Sequence, residues 1–173
     1  MLGRGDKLLP DDTVFGDFQI VNYDDTAGRT AMTDFFLDLW REKGGETKKV
    51  QRADISPLEM KKYLEHVVLM DVHREKGNWS LIVRLIGGHV SSFYGEITGK
   101  DIREMTNSKA VERIYYASRR AVERKEPVMT VSPAFSPEKL YMEAVALYLP
   151  LFNDQEEVVK IMVVVHVSSP TVP

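Results

Sequence analysis

The last third of the chain constrains its fold most strongly. Three strand-length apolar runs, VMTVSPAF at 128–135, LYMEAVALYLPL at 140–151 and EVVKIMVVVHVS at 157–168, are separated only by SPEK and FNDQE. Connections that short join antiparallel neighbours, because a parallel crossover needs about a dozen residues or more. Upstream, HVVLMDV at 66–72 and WSLIVRLI at 79–86 are two further strands, and the turn between them contains Gly77-Asn78, a hairpin signal. Between the two groups lies a helical excursion ending in a long helix from about Ser108 to Lys125. It carries Val111, Ile114, Ala117, Ala121 and Val122 on one face, and Glu112, Arg113, Arg119, Arg120, Glu123 and Arg124 on the other. This order specifies an α+β domain built on a five-stranded antiparallel sheet, with helices between its second and third strands.

Two helices precede the sheet. TAMTDFFLDLWREK spaces Met32, Phe36, Leu39 and Trp40 along one helical face, and Gly44-Gly45 ends the helix. Phe35 and Leu37 widen its apolar surface beyond one stripe, so the helix is expected to contact more than one partner. Farther on, Ser56 is an N-cap, Pro57 sits at the first helical position and Glu59 completes a capping box, giving a helix to about Glu65. The division expected is an acidic, loosely ordered extension at 1–29, a helix at 30–45 and a folded domain at 46–169.

Composition excludes several functions. Of the 173 residues 43% are hydrophobic and 28% charged, which suits a packed core. No cysteine occurs, so disulfides, zinc-thiolate sites, iron–sulfur clusters and thiol catalysis are ruled out, in keeping with a reducing cytoplasm. The longest late aliphatic run, IMVVV, is strand-sized, and a soluble cytoplasmic protein is expected. The net charge of −3 resides in residues 1–30, where six acids face three bases; the remainder balances 20 acids with 20 bases. No basic field exists to draw nucleic acid or an anionic membrane.

Around the crossover the residues resemble a known pattern. Arg84-Leu85-Ile86-Gly87, Tyr94-Gly95 and Thr98-Gly99-Lys100 match the "RLvGt…yGrdlTGr" motif of a bacterial group of PAS-like domains. RADISPLEM, VVLMDV, Glu126-Pro127-Val128 and Leu149-Pro150-Leu151 match the group's flanking signatures, and the resemblance spans roughly 46–168. Two positions depart from it. Gly88 stands where a small hydroxyl residue is usual, and Glu96-Ile97 replace the usual arginine turn. The resemblance implies a sensory or protein-interaction module, not an enzyme, that takes small molecules between the inner sheet face and the helices and dimerises through N-terminal helices or sheet surfaces. It leaves the ligand and any cofactor undefined.

On that basis Arg84, His89, Phe93, Tyr94, Tyr116, Met129 and Tyr141 are candidate ligand-binding residues. Phe35, Phe36, Leu39 and Trp40 are the candidate dimer or partner surface, and a homodimer is the expected assembly. Arg84 has two readings: an outer-face arginine paired with a carboxylate such as Glu143, which is preferred, or a planar fork aimed at an anion. His66, His73, His89 and His166 lie in or beside strands without metal-ligand spacing, and no histidine stands on the long helix, so no metal or haem is expected. Arg120 and Arg124 have an RxxxR spacing but lack a downstream DxSxxG. No nucleophile elbow or GxGxxG occurs; an Asp71–His89 proton-transfer pair in a cone-shaped isomerase, and a ligand-free interaction module, are the alternatives.

Overall fold

The computed structural model describes residues 19–21, 29–105, 108–133 and 143–168. Six strands form one antiparallel sheet: β1 (Gln19–Val21), β2 (Val67–Glu75), β3 (Asn78–Ile86), β4 (Val128–Pro133), β5 (Glu143–Phe152) and β6 (Val158–Ser168), in the spatial order β1-β4-β5-β6-β2-β3. The expected five strands are therefore joined by a sixth. β1 comes from the acidic segment at 1–29, and it pairs Ile20 with Thr130 at the sheet edge. Three residues between aspartates carry no readable period. The rest of that segment up to residue 28 lies outside the described residues.

The hairpins form as their turn chemistry dictates. Lys76 and Gly77, both at positive φ (52° and 80°), make the two-residue β2–β3 turn, with Glu75 opposite Asn78. One irregularity matters. Leu69 faces Leu85 while Met70 faces Val83, so Arg84 is an extra, bulged residue of β3. The bulge reverses the side-chain parity beyond it. Simple alternation would group Leu85 with Trp79, Leu81 and Val83; instead Ile86 takes the inner position.

Among the described residues three α-helices accompany the sheet: α1 (Ala31–Glu42), α2 (Gly88–Tyr94) and α3 (Ser108–Arg124). The Thr30 side chain caps α1 by accepting from the Thr33 amide at 3.1 Å. The capping box at Ser56 also forms, with Glu59 accepting from the Ser56 amide at 2.8 Å. The segment it opens, Pro57–His66, is not the expected α-helix. It is a 3-10 helix interrupted at Tyr63, so it reaches β2 directly with its last carbonyls turned toward Gly87.

Both sheet faces are covered. On β5, Leu147, Leu149 and Leu151 are fully buried on the face away from Ala144, Ala146 and Tyr148. α1 is fastened to this strand by Trp40, whose indole Nε1 donates to the Pro150 carbonyl at 2.8 Å. Phe36, Leu39 and Trp40 are buried within the chain, and Phe35 is half-buried with its ring 5.4 Å from that of Tyr63. The apolar width that suggested a dimer or partner surface is thus consumed inside the chain. No helix among the described residues is long and apolar enough to cross a membrane.

Candidate ligand-binding site

The other sheet face and the helical excursion enclose a narrow cavity of about 70 Å³. Its floor is Val68 and Met70 of β2, Ile86 of β3, Thr130 and Ser132 of β4, Ala144, Ala146 and Tyr148 of β5, and Val163 and Val165 of β6. Its roof is Val90 and Tyr94 of α2, Ile97, Ile102, Met105, and Ala110, Arg113 and Ile114 of α3. The space exists because small residues occupy the floor where it faces the helices. Alanine at 144 and 146 leaves volume that leucine would fill.

The polar groups lie within this apolar frame. Arg113 is 6% exposed and is the one charged side chain among the described lining residues. Burial pushes the Tyr94 and Tyr148 phenols up from their ordinary pKa, and the Arg113 charge acts on both in the opposite direction. The lining therefore offers guanidinium N–H donors, two neutral phenols and two small hydroxyls. Among the described residues it holds no carboxylate and no histidine.

A second network fixes one wall. Asp101 caps the 3-10 turn Ile102–Glu104 by accepting from the Arg103 amide at 2.8 Å. It also accepts from Arg103 Nε and Nη2 at 3.0 and 2.9 Å, and from the buried Tyr115 hydroxyl at 3.0 Å. Burial works to raise the Asp101 pKa, but the bonds from Arg103 and Tyr115 prevail and hold it below the ordinary carboxylate range. A depressed carboxylate stabilises the fold above its unfolded pKa, about 3.9, and that contribution is lost as the pH falls through the folded value. Asp101→Asn should therefore cost about 1–3 kcal/mol at pH 7, by urea denaturation. The deficit against the unsubstituted chain should shrink as the pH falls below about 3.9.

The candidate residues are distributed unevenly. Tyr94 lines the cavity. Arg84 does not: it is exposed on the bulge and donates to Asp71 at 2.5 Å. Its partner is not Glu143, because two strands, β6 and β2, separate β5 from β3. Tyr116 and Met129 are buried outside the lining, Phe93 packs half-buried beside His89, and Tyr141 lies outside the described residues. Asp71 is engaged by Lys160 and Arg84, whereas His89 accepts from the Val167 amide, so the Asp71–His89 proton-transfer pair is not assembled. Arg113 escaped notice because it was grouped with the solvent face of α3. The signal was its i, i+3, i+4 spacing with Ala110 and Ile114, which places it beside the apolar stripe.

At the end of α2 nearer β6, three histidines meet. His66, His89 and His166 each offer a ring nitrogen within 4.8 Å of the others, and the ring centroids of His66 and His89 are 4.2 Å apart. β2 begins at Val67, opposite Val164, so the β6 backbone beyond has no strand beside it on that side. Two imidazoles continue the ladder. His66 Nδ1 donates to the Val165 carbonyl at 2.9 Å, and His89 Nε2 accepts from the Val167 amide at 3.1 Å. Burial, followed by the neighbouring His66, lowers the pKa of His89 and of His166.

A meandering sheet, an inner cavity and helices inserted between β3 and β4 are the architecture expected from the motif resemblance. The family model of the PAS domain matches residues 29–165. The chain belongs to the PAS domain family. No curated protein and no solved structure matches it. The family match begins just ahead of α1 and runs almost to the end of β6, so it takes in the whole cavity. As a PAS domain the chain is a module of the sensory and signalling type.

Proposed function

We propose that this PAS domain senses a small organic molecule with an apolar body and one anionic group, and reports occupancy through contacts with another protein or a second copy of itself. The observation that carries this reading is Arg113, a buried cation in a cavity otherwise lined by aliphatic and hydroxyl groups. A ligand carboxylate reaching the Arg113 guanidinium would form a planar, charge-assisted pair with it. Thr130 and Ser132 are placed to orient the polar end, while Met70, Met105 and Ile114 enclose the rest.

Native against denaturing mass spectrometry of the purified chain identifies any retained molecule. In thermal-shift titrations, fatty and aromatic carboxylates should raise the melting temperature, whereas their matched amides should not. Arg113→Gln should weaken carboxylate binding roughly ten- to a hundredfold, because a hydrogen bond to a charged group contributes about 1.5–3 kcal/mol. Thr130→Val, which leaves the charge in place, should weaken binding less. Amides binding as well as acids would remove the role given to Arg113. A chain stabilised by neither class would favour a module that works through protein contacts alone.

A further inference from the structure

Outside the cavity, the geometry points to a binding site for a divalent transition-metal ion formed by His66, His89 and His166. The three rings come from the end of Pro57–His66, from α2 and from β6, and their ligand nitrogens lie within 4.8 Å of one another. An ion bound at about 2.0–2.1 Å by three imidazoles needs the nitrogens somewhat closer, at roughly 3.3 Å in a tetrahedral shell. Ring rotation supplies that contraction, since none of the three residues is fully buried.

Proton positions follow from backbone chemistry. A carbonyl only accepts, so the His66 Nδ1 facing Val165 carries a proton, and Nε2 is the nitrogen left to ligate. Metal-binding histidines are commonly arranged this way, with the outer nitrogen donating to a carbonyl and the inner one left to ligate. Glu65 Oε1 lies 3.4 Å from that Nε2. The Glu65 carboxylate is a ready fourth ligand. His166 has no hydrogen bond among the described residues, so its nitrogens are uncommitted.

His89 is the member that must change partner. The Val167 amide only donates, so His89 Nε2 holds its lone pair toward β6 and Nδ1 holds the proton. Ligation through Nε2 exchanges the Val167 amide for the ion. One neutral hydrogen bond is much weaker than a metal–imidazole bond, so the exchange is favourable. The loaded site would then join α2 to β6 through the ion. α2 also carries Val90 and Tyr94 of the cavity roof, so loading acts on a wall of the ligand site.

The bland account is that His66 and His89 merely finish the sheet edge. His166 separates the two accounts, because it makes no backbone bond. The full chain, free of a polyhistidine tag and stripped with chelator, is titrated with Zn2+ by calorimetry and with Co2+ by visible absorption. One equivalent should bind, with the intense visible bands of four-coordinate Co2+. His166→Ala and the bulkier His166→Gln should each weaken binding by at least roughly tenfold, the loss found even for outer-shell partners. His73→Ala, an exposed β2 histidine outside the cluster, should leave it unchanged. Accelerated hydrogen exchange at the Val167 amide upon loading would add support. An unsubstituted chain that binds neither ion overturns the site, as does equal binding by both His166 variants.

Discussion

Gly87→Ala should lower stability by about 3 kcal/mol, the upper part of the range for forced overpacking. A Cβ at residue 87 would stand 2.2 Å from the Glu65 carbonyl oxygen and 2.6 Å from that of Leu64. Both neighbours are backbone, so neither can swing aside. The Gly87 amide also donates to the Val67 carbonyl at 2.9 Å, which pins the residue in place. The crossover from β3 to α2 is therefore pressed directly onto the end of Pro57–His66. For a chain of this length the melting temperature should fall by roughly 6–12 °C. Gly88→Ala is the internal control, since a Cβ there meets nothing within 4 Å. It should change stability by no more than about 0.5–1 kcal/mol, in the stabilising direction, because alanine restricts the unfolded chain. Equal losses in the two variants would show that close approach is not what position 87 requires.

Trp40→Ala should cost about 3–5 kcal/mol, measured by denaturant unfolding, as for other buried large aromatics. The indole is 2% exposed and supplies the bond to the Pro150 carbonyl. Trp40→Phe, which keeps much of the ring but leaves that carbonyl without its donor, should lose less, about 1–3 kcal/mol. The ring fits because residue 45 is glycine: a Cβ there would lie 2.1 Å from the indole. Gly45→Ala should accordingly be strongly destabilising alone and nearly silent in the Trp40→Ala background. That coupling, read from a double-mutant cycle, distinguishes a steric lock from two independent losses. A charged residue at 40 should unfold the chain rather than dissociate a dimer.

How much of this was readable from the sequence depends on the range of the interaction. The β5–β6 and β2–β3 hairpins were legible because strand period and turn residues are local properties. So were the capping boxes and the extent of α3. The bulge at Arg84 was not, since a single inserted residue shows only against its neighbour strand. With it went the parity that puts Ile86, rather than Leu85, in the cavity. The apolar breadth of α1 was visible, but amphipathicity does not say whether the covering surface belongs to the same chain. Tyr94 was recognised from a motif. Arg113 was hidden by its charge, because patterning rules assign arginines to water. The histidine cluster was invisible for another reason: spacing rules detect ligands carried by one element, and these come from three.

The two margins of the sheet differ in how firmly they are sealed. Beside β3, the Val83 amide and carbonyl are taken by Lys100 and Gly99, whose loop is anchored by the Asp101 network. Beside β4, the seal among the described residues is the three-residue β1. Unsealed edges recruit foreign strands, so each margin acts as a guard against polymerisation. Three rungs of backbone bonding, each worth about 0.5–1.5 kcal/mol net, make a weak guard. An invading strand would therefore displace β1 at modest cost, and it would settle against the strand that carries Thr130 and Ser132 into the cavity. Self-association by strand exchange and ligand occupancy would then share one strand, β4.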